Sequence, residues 1–215
     1  MSDLAVRTLS GLLLILIALV AAFLGGYVFA VLVALASVVM LAEWRRIAAG
    51  WGFGWSVGGF IYALLPALAL LWIRDRAAVD GQSIGFELLL WVFIVTWATD
   101  IGAYFAGRAI GGPKLAPSIS PNKTIAGLAG GIVSAGLAGF AWVQAMHLPQ
   151  VLILVGPLMA VAAQAGDLFE SWMKRRAGVK DSGTWLPGHG GLLDRLDGLV
   201  PVAVITAALV LGGVV

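Results

Sequence analysis

Two polar stretches in an otherwise apolar chain hold the residue types that can handle phosphates. The first, residues 164–198, reads QAGDLFESWMKRRAGVKDSGTWLPGHGGLLDRLDG. Asp167 stands near the end of an apolar run, and four cations follow it, Lys174, Arg175, Arg176 and Lys180. Beyond a Pro187-Gly188-His189-Gly190-Gly191 turn come Asp194 and Asp197, which on a helix are i,i+3 neighbours facing the same way. With Asp167 they offer three carboxylates that could converge on a hard cation. Mg²⁺ is held in this way, by one or two carboxylates plus substrate phosphates. The basic residues would face those phosphates, and the glycines of the turn would let backbone N–H groups approach them. A Lys-Arg-Arg run at a membrane edge more often serves only topology or anionic-lipid contact. That account leaves Asp167, Asp181, Asp194 and Asp197 unexplained, since acids do little for orientation.

The second stretch, residues 97–131, reads WATDIGAYFAGRAIGGPKLAPSISPNKTIAGLAGG. Asp100 lies within an apolar run, where an ionisable group is expensive and a functional candidate by default. Its bland alternative is a structural pair with Arg108 or another cation. Lys123 is expected at the start of a helix, where a phosphate would also meet the helix N-terminus.

These residues must be positioned by membrane helices. Of 215 residues, 61% are hydrophobic and 11% charged, against roughly 45–50% and about 25% in soluble domains. A soluble globule this small cannot hide so much apolar surface. The chain has no cysteine, which excludes disulfides, thiolate metal sites and a Cys nucleophile. Its 29 glycines fit close helix packing in lipid.

Seven apolar runs are long enough to be read as spans: Leu9–Phe23, Val28–Ala48, Val57–Ile73, Leu88–Phe105, Ile125–Met146, Val151–Phe169 and Leu199–Val215. The third and seventh are short enough to be tilted or half-inserted. The first, preceded by Arg7, reads as a retained anchor rather than a signal peptide, because no convincing cleavage site follows. The expectation is a single all-α, polytopic membrane domain, with N-terminal helices over residues 1–90 and catalytic helices over 91–215. With the N-terminus inside and the C-terminus outside, eleven of the thirteen Lys and Arg fall on the inner side, leaving only Arg74 and Arg76 outside. The two polar stretches then lie at the cytoplasmic face.

Residues 171–197 resemble the signature of the phosphatidate cytidylyltransferase (CDP-diacylglycerol synthase) family. That signature runs S-x-x-K-R-x-x-x-x-K-D, then P-G-H-G-G-x-x-D-R-x-D, and every fixed position is matched. The runs Asp100–Arg108 and Ser120–Thr124 resemble a second conserved region of the same family. Members often carry Lys-Lys-Thr-Trp-Glu-Gly there, where this chain has Asn122-Lys123-Thr124-Ile125-Ala126-Gly127. The chain is short for the family, by one or two N-terminal helices. The resemblance implies that Asp167 and Asp194 hold Mg²⁺, with or without a monovalent companion, and that Lys174 is an essential cation with Ser171 and Asp197 close by. Asp100, Lys123, Ser171, Arg175, Lys180, Asp181, His189 and Arg195 are the candidates for substrate binding. The family resemblance suggests a homodimer, and no nucleic-acid partner is expected.

The implied reaction joins phosphatidate to CTP and releases pyrophosphate. A phosphomonoester is largely dianionic at neutral pH, so no general base is needed, and His189 is read as a phosphate contact or loop strut. A CDP-alcohol phosphotransferase fails on Leu199-Val200-Pro201-Val202, which lacks the Ala-Arg that its motif requires after Asp-Gly. A CTP-dependent lipid kinase of similar fold remains an alternative, and a small transporter is the alternative from another class.

Overall fold

The structure, a computed structural model, describes residues 3–76, 83–183, 185 and 190–215, with side chains from Thr8 onward. Its elements run α1 (Asp3–Leu24), α2 (Gly26–Ile47), α3 (Phe53–Arg74), α4 (Gly85–Ile110), β1 (Lys114–Ala116), β2 (Ser120–Thr124), α5 (Ile125–Met146), α6 (Val151–Arg176), α7 (Leu193–Leu196) and α8 (Leu199–Leu211). Five of these, α2 to α6, are long and apolar enough to cross a membrane. Two shorter apolar helices, Thr8–Leu24 and Leu199–Leu211, stand where the first and seventh spans were expected. The architecture is an all-α membrane bundle carrying one small β-hairpin.

Several boundaries differ from the sequence expectation. The third span is not short, because the helix begins at Phe53 and runs 22 residues. The sixth continues past Phe169 to Arg176, so Lys174, Arg175 and Arg176 form its last turn instead of a loop. No helix breaker intervenes before Gly178, and cations are favourable at the negative end of the helix dipole. Residues 114–124 form an antiparallel hairpin pairing Lys114 with Thr124 and Ala116 with Ser120. Its last residue, Thr124, caps α5 by accepting a 3.0 Å hydrogen bond from the Gly127 N–H.

The packing of α4 against α5 explains much of the glycine. Gly127, Gly131, Ala135 and Gly139 recur every four residues and are buried on one face of α5. A Cβ added at Gly131 would stand 3.0 Å from the Thr99 carbonyl oxygen, which is backbone and cannot yield easily. Small residues at i,i+4 let two helices approach closely in lipid. Gly131→Leu should therefore destabilise the bundle, by about 1–3 kcal/mol or more as overpacking does, read as a lower melting temperature in detergent. Gly54→Leu should not, because a Cβ there has nothing within 4 Å.

Polar contacts gather at the two ends of the bundle. At one end Arg74 Nε donates to the Ala22 carbonyl at 2.6 Å, and Arg76 Nη2 to the Val215 carbonyl at 3.2 Å. The ends of α1 and α3 and the chain's C-terminus thus share one end, with the two cations expected outside. At the other end lie the ends of α2 and α6, the hairpin, and α7. Every described candidate residue for chemistry is found there or near it.

Candidate active site

Two lysine–carboxylate pairs form the centre of this end. In the first, Lys123 on β2 places Nζ 2.5 Å from Asp167 Oδ2 on α6 and donates to Gln164 Oε1 at 2.8 Å. Ser171, one turn beyond Asp167, donates its hydroxyl to Asp167 Oδ1 at 3.2 Å. The hairpin is what brings Lys123 across to α6. Asp100 on α4 lies within electrostatic range of Asp167, Lys123 and Arg195. Arg108, its suggested structural partner, donates instead to the Tyr104 hydroxyl at 3.3 Å.

In the second pair, Lys174 Nζ stands 2.5 Å from Asp194 Oδ1 and 3.3 Å from Glu170 Oε1. Asp194 Oδ2 accepts from the Ser182 N–H at 2.9 Å, the Ser182 hydroxyl at 2.8 Å and the Gly191 N–H at 2.9 Å. Burial alone would raise the Asp194 carboxyl. The bonds from Lys174 and from the Gly191 and Ser182 backbone N–H groups outweigh it and bring it down to about 2. The resulting stabilisation is present above the ordinary carboxylate range and is lost only as pH falls toward that value. Asp197 is pushed the other way, by burial first and then by the Asp167 charge, while its Oδ1 accepts from the Gly198 N–H at 2.7 Å.

The remaining candidates lie around this centre. Arg175 is exposed and donates Nε to the Ile119 carbonyl at 3.3 Å. Lys180, Asp181 and Arg195 are exposed, and the Asp181 carbonyl accepts from Arg46 at 3.3 Å. His189, with Pro187 and Gly188, lies outside the described residues. The three expected carboxylates do not stand together as one ligand group. Among the described residues no cluster of three or more His, Asp or Glu is arranged around a metal position. Lys123 and Lys174 each stand against one of these carboxylates. Gly191, in the turn expected to face a phosphate, has its N–H bound to Asp194 Oδ2.

Sequence reasoning missed two acids. Glu43 on α2 is 2% exposed and accepts hydrogen bonds from the Leu192 and Leu193 N–H groups. Glu170 is 1% exposed, and both of its carboxylate oxygens lack a hydrogen-bond donor despite the nearby Lys174 charge. The argument that singled out Asp100, an ionisable group in an apolar run, applies equally to Glu43.

The donor set suits a hard cation. It consists of carboxylate oxygens with no thiolate, and the two orphaned oxygens of Glu170 sit beside Lys174. Mg²⁺ requires only one or two carboxylates when substrate phosphates supply the rest.

The chain matches the model of the Cytidylyltransferase family over residues 50–211. It is 44% identical over 179 residues to a phosphatidate cytidylyltransferase of Brucella suis, covering 81% of this chain and 62% of the relative. The enzyme of the same name from Rickettsia bellii is 34% identical over 213 residues, covering 95% of this chain and 89% of the relative. That from Bacillus subtilis is 48% identical over 116 residues, 53% of this chain and 43% of the relative. The matched region thus spans a little under two thirds of the Brucella relative's length.

Proposed function

The chain belongs to the cytidylyltransferase family, and we propose that it transfers the cytidylyl group of CTP to phosphatidate, giving CDP-diacylglycerol and pyrophosphate. The observation that carries this reading is the pair of lysine–carboxylate contacts, Lys123–Asp167 and Lys174–Asp194, assembled at one end of a membrane bundle. A phosphatidate phosphate oxygen attacks the α-phosphorus of CTP, and the bond to pyrophosphate breaks. Both reactants are polyanions, so the work is positioning and charge neutralisation. Lys174 and Lys123 are compact ammonium donors that can turn from their carboxylates to phosphate oxygens. Ser171 and Gln164 keep Asp167 and Lys123 in place, and the Ser182 and Gly191 N–H groups keep Asp194 in place. Asp167 and Asp194 would hold Mg²⁺, which when bound neutralises phosphate charge at the reacting phosphorus and leaving group.

The same proposal puts the site at the cytoplasmic face of the inner membrane, where CTP is supplied, with the lipid arriving sideways from the inner leaflet; the bias of Lys and Arg toward that side supports it. A homodimer belongs to the same proposal. A cell-free assay with labelled CTP and phosphatidate should yield CDP-diacylglycerol. With γ-labelled CTP and a lipid alcohol supplied in place of phosphatidate, formation of a labelled phospholipid and CDP would assign the chain as a CTP-dependent kinase. Sidedness is checked by Lys180→Cys, at an exposed position beside the site. It should resist an impermeant thiol reagent in intact cells and react after lysis. Labelling in intact cells would overturn the orientation.

A further inference from the structure

We infer that Glu43, on α2 and outside the signature stretch, is a positioning residue that holds the Asp194 loop and through it the Lys174–Asp194 pair. A buried carboxylate is tolerated only when its lone pairs are used. Those of Glu43 are used by one loop alone. Oε1 accepts from the Leu192 N–H at 3.0 Å, while Oε2 accepts from the Leu193 N–H at 2.7 Å and the Ser182 hydroxyl at 3.1 Å. The same Ser182 hydroxyl lies 2.8 Å from Asp194 Oδ2. One side chain therefore links the two carboxylates, which between them take the N–H groups of Ser182, Gly191, Leu192 and Leu193. The loop is glycine at Gly183 and Gly191, and a Cβ at either would run into the Glu43 carboxylate. The fit is built for an acid entering from α2.

Glutamine cannot replace it. Both oxygens face backbone N–H donors, so either orientation of an amide turns its NH₂ against one of them. Glu43→Gln should let the Asp194 loop shift, leaving Lys174 on α6 without its fixed partner. A displacement of about 1 Å at a reacting centre can lower the rate about 10²-fold.

The test uses the full chain in detergent: wild type, Glu43→Gln, Glu43→Asp and Val33→Ala. Val33 is buried on the same helix at 6% exposure, in an apolar cluster that includes none of the loop's residues. Glu43→Gln should lower kcat by about 10²-fold with KM for CTP changed less than about twofold. Amide hydrogen exchange should accelerate over residues 182–193 and nowhere else. Glu43→Asp, which keeps the charge one methylene short, should recover part of kcat. Val33→Ala should lower the melting temperature without changing kcat or the exchange of that loop. A Glu43→Gln enzyme within about threefold of wild-type kcat would overturn the inference. So would acceleration of exchange across the whole chain, which marks a residue of general stability. Should Glu43→Gln fail to insert, Glu43→Asp, which keeps the charge but shortens the reach to the Leu192 and Leu193 N–H groups, carries the same two readouts. The kinetic arm rests on the proposed function. If the wild type makes no CDP-diacylglycerol, that reading falls, and the exchange arm still decides whether Glu43 holds the loop.

Discussion

Lys174→Arg and Lys174→Gln should each lower kcat for CDP-diacylglycerol formation by about 10² to 10³-fold, the scale for losing one preorganised donor in the transition state. The two variants should part company in stability. Lys174 is 12% exposed and sits between Asp194 and Glu170, with Asp197 nearby. Glutamine leaves those acids without their cation, and an uncompensated buried charge costs about 3–5 kcal/mol. Lys174→Gln is therefore expected to melt at lower temperature, whereas Lys174→Arg keeps the charge and the fold. On the proposed function arginine should still lower kcat, because a planar guanidinium does not fit the place of a compact ammonium between Asp194 and Glu170. Melting temperature and kcat measured together separate these effects. The neighbouring Arg176 supplies a contrast: its guanidinium carbon lies 4.5 Å from the Trp51 ring centre and within 5.6 Å of those of Trp55 and Trp172. Arg176→Gln should lose that aromatic cradle, and with it some stability, while kcat holds. Arg45, exposed on α2 at the same end of the bundle, serves as the plain cation for comparison. Losses at Lys174 no larger than those of Arg45→Gln would return the basic run to membrane anchoring.

Hydropathy located every helix but the four-residue α7, because a lipid-facing helix must be apolar along its length, and α5 was placed to the residue. The same rule could not show where a helix ends when charged residues continue it. Hence the last turn of α6, which carries Lys174, reads in sequence as a loop. The hairpin over residues 114–124 gave no signal either, because its strands are short and carry no alternating pattern. The candidate site was legible in part: chemistry and spacing singled out Asp167, Ser171, Lys174 and Asp194, which the structure brings to one end of the bundle. It was illegible where tertiary packing alone brings groups together. Nothing about Lys123 announces Asp167 as its partner across 44 residues, nor does Glu43 announce the N–H groups of Leu192 and Leu193. Asp194 and Asp197 lie with Asp167 at one end of the bundle, where Lys123 stands against Asp167, Lys174 against Asp194, and Asp197 accepts from the Gly198 N–H.

Asp167→Asn and Asp194→Asn should both abolish most turnover, by about 10²-fold or more, yet for reasons that a Mg²⁺ titration can tell apart. At Asp167 the neighbours are a lysine on Oδ2 and a serine hydroxyl on Oδ1. The hydroxyl can rotate to accept from an amide, and the amide oxygen can keep Lys123, so the asparagine stays in place and only the charge is lost. Activity of this variant should then recover in part as Mg²⁺ is raised, with the melting temperature close to wild type. At Asp194 the geometry is less forgiving. Oδ1 faces Lys174, while Oδ2 accepts from two backbone N–H groups and a hydroxyl. An asparagine must turn its NH₂ either toward the ammonium or toward the N–H pair, and both arrangements set donor against donor. The loop that Glu43 holds from the other side would loosen, so added Mg²⁺ should not restore turnover. Faster hydrogen exchange over residues 182–193 should accompany Asp194→Asn and be missing from Asp167→Asn. Near-normal activity of either variant at low Mg²⁺ would remove that residue from the metal site. Equal rescue of both would show that Asp194 acts through its charge alone.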